Sequence, residues 1–158
     1  MKRAGRERKI AVKIARLLSR SKNPGLAVSE TGRLPCGAGK TVDTPEKAAS
    51  CFGRIRGRKQ ECFAVLTLDA ARRAINCHVV TVGTLTASLV HPREVFALAL
   101  EDRAASIILA HNHPSGCLEA SEQDRRVTGI FREAGEVMQI PLDDHLIVTE
   151  GGFASVPE

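Results

Sequence analysis

The segment from residue 105 to residue 138 constrains the chain more than any other. Ala105-Ser106-Ile107-Ile108-Leu109-Ala110 is a short apolar run, the pattern of a buried strand. It leads straight into His111-Asn112-His113-Pro114-Ser115-Gly116, where proline and glycine turn the chain. Val127, Ile130, Phe131, Ala134, Val137 and Met138 then recur at helical spacing. Ser121 is a natural N-cap for that helix, and Asp124 falls at its third position. Strand, tight turn and helix start are therefore expected to meet in space.

Side chains on an extended chain point alternately to opposite sides, so His111 and His113 share one side and Asn112 faces away. Asp124, in the first helical turn, comes close to the strand end. Neutral imidazole nitrogens and a carboxylate oxygen suit a borderline metal such as zinc. Three protein ligands leave one tetrahedral position open, which is what a catalytic zinc needs for water. The segment thus points to metal-assisted hydrolysis. Each residue also has a plainer reading: Ser-x-x-Asp is a form of capping box, and a histidine at a strand end is often a hydrogen-bonded structural side chain. Two imidazoles and a carboxylate within reach of one another favour the metal.

Charge divides the chain. Residues 1–60 hold 16 Lys and Arg against 4 Asp and Glu, whereas residues 61–158 hold 7 against 14. A basic arm precedes a mildly acidic domain. Ile10, Ile14, Leu17 and Leu18 fall on one face of a short basic amphipathic helix over 6–20, which could pack by its apolar stripe or meet a partner or nucleic acid. Residues 21–43, rich in Gly, Pro, Ser and Thr, read as a linker. The expected organisation is an arm and linker over 1–43 and one domain over 44–158. Gly37-Ala38-Gly39-Lys40-Thr41 imitates the end of a phosphate-binding loop, but the full pattern needs Gly where Leu34 stands and no strand is expected before it.

Trp and Tyr are absent, so no aromatic platform for stacking bases is evident. No stretch is long and apolar enough for a membrane span, and Lys13 and Arg16 break the apolar run that a signal peptide requires. The five cysteines (36, 51, 62, 77 and 117) are scattered, with no Cys-x-x-Cys, and are expected as free thiols in a reducing cytoplasm.

The rest of the chain reads as alternating elements. Thr44-Pro45-Glu46 starts a helix to about Arg54, followed by a basic cluster over 54–59. Glu61 enters a strand over 62–68; a turn over 69–73 and a strand over 75–82 make a hairpin. Ser88 or His91 opens a helix directing Val95, Phe96, Ala99 and Leu100 to the core. A strand over 140–148 and a short one over 153–155 finish the chain.

His111-x-His113-x10-Asp124 with an upstream Glu resembles the JAMM (MPN+) metalloprotease motif, and more closely its RadC-like branch. The resemblance rests on Glu61 to Asp69, His91-Pro92-Arg93-Glu94-Val95-Phe96, His111 to Gly116, Ser121-x-x-Asp124, and Ile140-Pro141-Leu142-x-Asp144-His145-Leu146-Ile147-Val148. These blocks span about residues 45–156. The resemblance implies an α/β (mixed α+β) fold, a mixed β-sheet flanked by helices like that of cytidine deaminases. It implies that His111, His113 and Asp124 bind zinc, that Glu61 is general base and acid, and that Ser121 stabilises the oxyanion. Such roles are chemically sound: Glu61 could move a proton from water to a leaving amine, and a hydroxyl could donate to a tetrahedral oxyanion.

The chain also departs from that family. Cys117-Leu118-Glu119-Ala120 replaces the usual acid and prolines, leaving Cys117 either near the metal or an inert loop thiol. Asp143 stands where an apolar residue is usual, and Thr149 where Gly is common. The helix-hairpin-helix segment of longer RadC-like proteins is not recognised here. His145, beside Asp144, could support a ligand or make a structural hydrogen bond, and with Asp144, Arg93 and Glu94 it is left outside the catalytic set.

Two functions are expected to compete, once a non-catalytic scaffold for protein contacts is set aside because the candidate ligands are intact. One is a zinc hydrolase cleaving a peptide or isopeptide bond in an unspecified protein or peptide. The other is a nucleic-acid accessory protein of DNA repair or mobile elements, holding phosphates non-specifically through its basic arm. No membrane partner is expected. Zinc nucleobase deaminases are set aside, because His-x-Glu and Pro-Cys-x-x-Cys are absent.

Overall fold

Two strands buried along their whole length, Cys62–Leu68 and Ser106–Asn112, form the centre of the sheet. Burial on both faces requires layers on both sides, and the helices supply them. The computed structural model describes residues 33–34, 36–83 and 90–157. In chain order these form β1 (Arg33–Leu34), α1 (Pro45–Cys51), α2 (Gly53–Arg56), β2 (Cys62–Leu68), β3 (Ala74–Val82), α3 (Pro92–Glu101), β4 (Ser106–Asn112), α4 (Glu122–Met138), β5 (Leu142–Thr149) and β6 (Gly152–Ser155). The described strands make one mixed sheet in the order β1-β3-β2-β4-β5-β6. Only β4 and β5 run parallel, joined by α4; every other adjacent pair is antiparallel. The expected α/β class, a mixed sheet flanked by helices, is what the chain adopts.

Alternation along the strands sorts the core into two layers. Cys62, Ala64, Leu66, Ile108, Ala110 and Leu146 pack with Ala48, Ala49, Phe52 and Ile55 of the α1–α2 region. Phe63, Val65, Ile107 and Leu109 pack on the other face with Val95, Phe96 and Ala99 of α3 and Val127 and Phe131 of α4. On β4 the second set continues to His111 and the first to Asn112, so the sheet itself separates these two neighbours.

Several sequence expectations shift at their edges. The helix expected from Thr44 to Arg54 divides at Phe52, whose side chain is fully buried, into α1 and α2. Leu100 is 54 % exposed rather than directed to the core, and on α4 Ile130 and Val137 also face out. The strand expected from Ile140 begins at Leu142. Gln139 takes a left-handed conformation and the Ile140 N–H closes the end of α4 on the Gly135 carbonyl, so Ile140 is spent on the helix. Part of the stretch read as linker joins the sheet: β1 pairs with β3, and Thr41 bridges to Arg73. His91, with Pro92 after it, begins α3; Ser88, the alternative start, and the amphipathic segment 6–20 lie outside the described residues.

Candidate metal centre

The carboxyl end of β4 and the amino end of α4 converge where the sequence places the ligands. His111 is the penultimate residue of β4 and is 1 % exposed. The chain then turns, with Gly116 N–H donating to the His113 carbonyl at 3.0 Å and Gly116 itself at φ +80°, where a side chain would be strained. Ser121 caps α4: its hydroxyl accepts from Asp124 N–H at 3.2 Å, while Asp124 Oδ2 accepts from Ser121 N–H at 2.7 Å. The capping box thus holds Asp124 on the first turn, where the positive end of the helix favours a carboxylate.

Three ligand-type atoms meet there. His111 Nε2 lies 2.9 Å from His113 Nε2 and 3.2 Å from Asp124 Oδ1, and His113 Nε2 lies 3.7 Å from Asp124 Oδ2. Oxygen and nitrogen ligands about 2.1 Å from a tetrahedral zinc sit about 3.4 Å from one another, in the middle of that range. Among the described residues this is the one group of three or more potential ligands so clustered.

Hydrogen bonding behind the candidate ligands selects their tautomers. His113 Nδ1 is 2.8 Å from the Cys117 carbonyl, which can only accept, so Nδ1 carries the hydrogen and Nε2 presents a lone pair. His111 is set by a longer relay. Thr128 Oγ1 donates to the Asp124 carbonyl at 2.7 Å, and so accepts from His145 Nδ1 at 2.7 Å. His145 is fully buried, and burial together with the neighbouring His111 holds its pKa well below the ordinary value, keeping the ring neutral. Its Nε2 therefore accepts from His111 Nδ1 at 2.9 Å, and His111 Nε2 is left as a second lone pair. Burial disfavours charge on Asp124, but a proton on His111 Nε2, shared with the carboxylate, together with the bonds from Ser121 outweighs it and holds the carboxyl below the usual carboxylate range.

Two lone pairs and a carboxylate at these separations repel unless a positive charge lies among them. A proton on His111 Nε2, donated to Asp124, satisfies the cluster in one way; a divalent metal satisfies all three ligands at once. The donor set therefore fits zinc.

Glu61 stands immediately before β2. Phe63, two residues after Glu61, is the cross-strand partner of His111, where the β2–β4 ladder ends. The Glu61 carbonyl accepts from Gly83 N–H at 2.8 Å, which keeps this residue in the plane of the sheet. Ser121 Oγ donates to Asp124 Oδ2 at 2.6 Å, so its hydroxyl hydrogen is directed at a carboxylate oxygen of the cluster. The Cys117 thiol is exposed and accepts from Glu119 N–H at 3.4 Å, apart from the ligand cluster. Arg93 and Glu94 pair with each other on the surface at 3.1 Å. Asp143 accepts from Ser106 Oγ at 2.7 Å, with Arg72 at 3.3 Å, which explains an acid at that strand position.

Sequence reasoning did not single out Thr128 and left His145 and Asn112 outside the site. Thr128 could have been found by spacing, since it lies one helical turn beyond Asp124.

A mixed sheet flanked by helices, with His111, His113 and Asp124 gathered at the end of a central strand, is a JAB-like fold. The family model described as the RadC-like JAB domain matches residues 42–158, and the chain belongs to that family. The chain is 42 % identical over 145 residues to a UPF0758 protein of Rubrobacter xylanophilus, covering 91 % of this chain and 58 % of the relative. It is 43 % identical over 118 residues to the UPF0758 protein tlr1707 of Thermosynechococcus vestitus, covering 74 % and 47 %. It is 51 % identical over 102 residues to a UPF0758 protein of Methanospirillum hungatei, covering 65 % and 45 %. The chain thus spans about half the length of these relatives. The first match is longer than residues 42–158 and so takes in part of the preceding segment. Among the described residues no helix is long and apolar enough to cross a membrane.

Proposed function

We propose that this chain is a zinc-dependent hydrolase of amide bonds, a peptidase or isopeptidase acting on a protein or peptide in a reducing cytoplasm. The observation that carries this reading is the meeting of His111 Nε2, His113 Nε2 and an Asp124 oxygen, with both imidazoles held in the metal-binding tautomer from behind. Zinc bound there supplies a Lewis acid that polarises a carbonyl and acidifies water. Glu61, two residues before the cross-strand partner of His111, accepts a proton from the attacking water and returns it to the leaving amine. Ser121 turns its hydroxyl from Asp124 Oδ2 toward the developing oxyanion, a contact worth about 3 kcal/mol where such donors have been removed. The test is a broad panel of peptides, isopeptides and esters, with zinc-loaded wild type beside Glu61→Gln. Turnover by the wild type alone supports the reading, and no cleavage by fully loaded protein counts against it.

The charge asymmetry supports a second reading, a nucleic-acid accessory role for the arm. Deleting residues 1–43 should then abolish salt-sensitive DNA binding; binding that survives the deletion removes the arm from that role.

A further inference from the structure

Asn112 separates the two histidine ligands in sequence and points to the opposite face of the sheet. It is fully buried, and its amide uses both ends. Asn112 Oδ1 accepts from Cys62 N–H at 2.6 Å, while Asn112 Nδ2 donates to the Gln60 carbonyl at 3.2 Å and the Arg58 carbonyl at 3.1 Å. Two of these three groups, the Gln60 carbonyl and the Cys62 N–H, lie immediately on either side of Glu61. A buried amide with its hydrogen bonds made to backbone is a rigid connection.

We infer that Asn112 is a positioning residue: it brackets Glu61 and fixes that carboxylate's height over the end of β4, where His111 and His113 hold their nitrogens. The inference rests on the zinc-hydrolase reading. Its physical content is geometric economy. The strand that carries the ligands on one face carries on its other face the side chain that sets the base, so ligands and base move as one body. A carboxylate on an untethered loop before β2 would lack this registration. A side chain with only a donor, or only an acceptor, cannot hold both flanks of Glu61, which is why an amide suits the position.

The experiment measures zinc content, the Cys62 amide exchange rate, and affinity for acetohydroxamate, a zinc chelator whose hydroxyl proton a neighbouring carboxylate accepts. Wild type, Asn112→Ala, Glu61→Gln and the double variant are compared. Asn112→Asp, nearly isosteric and lacking the donors, serves if the alanine variant does not fold. The expected result is zinc retained in every variant, faster exchange at Cys62 in Asn112→Ala, and hydroxamate binding weakened about tenfold by either single change, as for other residues behind a metal site. The double variant should be no weaker than Glu61→Gln alone, because Asn112 acts through Glu61. Wild-type hydroxamate affinity in a zinc-loaded Asn112 variant, or losses that simply add, overturns the inference while leaving the hydrolase reading intact. Wild type that takes up no zinc overturns the hydrolase reading, and this inference with it.

Discussion

His145 Nε2 lies 2.9 Å from His111 Nδ1, with both rings about 1 % exposed. This contact selects the tautomer in which His111 offers Nε2 to a metal, and Thr128 in turn selects the tautomer of His145. His145→Ala should therefore lower zinc affinity by about 10- to 100-fold, the usual effect of removing such a partner. Thr128→Val should act in the same direction more weakly. Competition against a chromophoric chelator measures both; unchanged affinity in His145→Ala, with the fold intact, would rule out the relay.

The two glycines inside α4 should respond oppositely to alanine. A Cβ on Gly135 would lie 2.7 Å from the Ile140 carbonyl and 3.3 Å from Leu142 N, both backbone atoms of the segment leading into β5. Gly135→Ala should destabilise by about 2 kcal/mol despite its better helix propensity. A Cβ on Gly129 meets nothing within 4 Å, so Gly129→Ala should stabilise by about 0.5–1 kcal/mol. Urea denaturation of the two variants checks the contrast.

Asp102, at the end of α3, ties that helix to the sheet. Its carboxylate accepts from Thr67 Oγ1 at 2.8 Å, Asn76 Nδ2 at 2.6 Å and His78 Nε2 at 2.7 Å, with the side chain 3 % exposed. Burial raises its pKa, but the bonds from His78, Thr67 and Asn76 outweigh this and leave it below the usual value. A depressed carboxylate adds stability that is complete above the unfolded-state pKa of about 3.9 and is lost as pH falls through the folded value. Asp102→Asn should cost about 2 kcal/mol at neutral pH, the loss expected for hydrogen bonds to a buried charge. The gap from wild type should narrow below about pH 4. Denaturant midpoints at pH 7 and pH 3 report it; a gap independent of pH would show that the charge on Asp102 contributes nothing.

Much of this arrangement is legible in the sequence. The run 105–110, the turn over 113–116 and the Ser121 cap each carry a strong local signal, and they suffice to bring His111, His113 and Asp124 together. Alternation alone placed Asn112 on the far side of the strand. What alternation could not reveal is the backbone that Asn112 meets there, because Arg58, Gln60 and Cys62 are about fifty residues away in sequence and reach it only through the β2–β4 pairing. His145 was ambiguous for the same reason: its partners, His111 and Thr128, come from a neighbouring strand and a crossover helix. β1 has two residues and no periodicity to read. Leu100 and Val137 carry apolar side chains but face outward, a matter of helix rotation against the sheet that spacing constrains only loosely.

The central claim is that His111, His113 and Asp124 form a metal centre, and elemental analysis tests it most directly. Folded wild type and His113→Ala are each supplied with zinc, freed of excess, and assayed for metal per chain. The expected result is about one equivalent in wild type, as for a three-ligand zinc site, and little in His113→Ala. No zinc in folded wild type, or an undiminished content in the variant, would contradict the account.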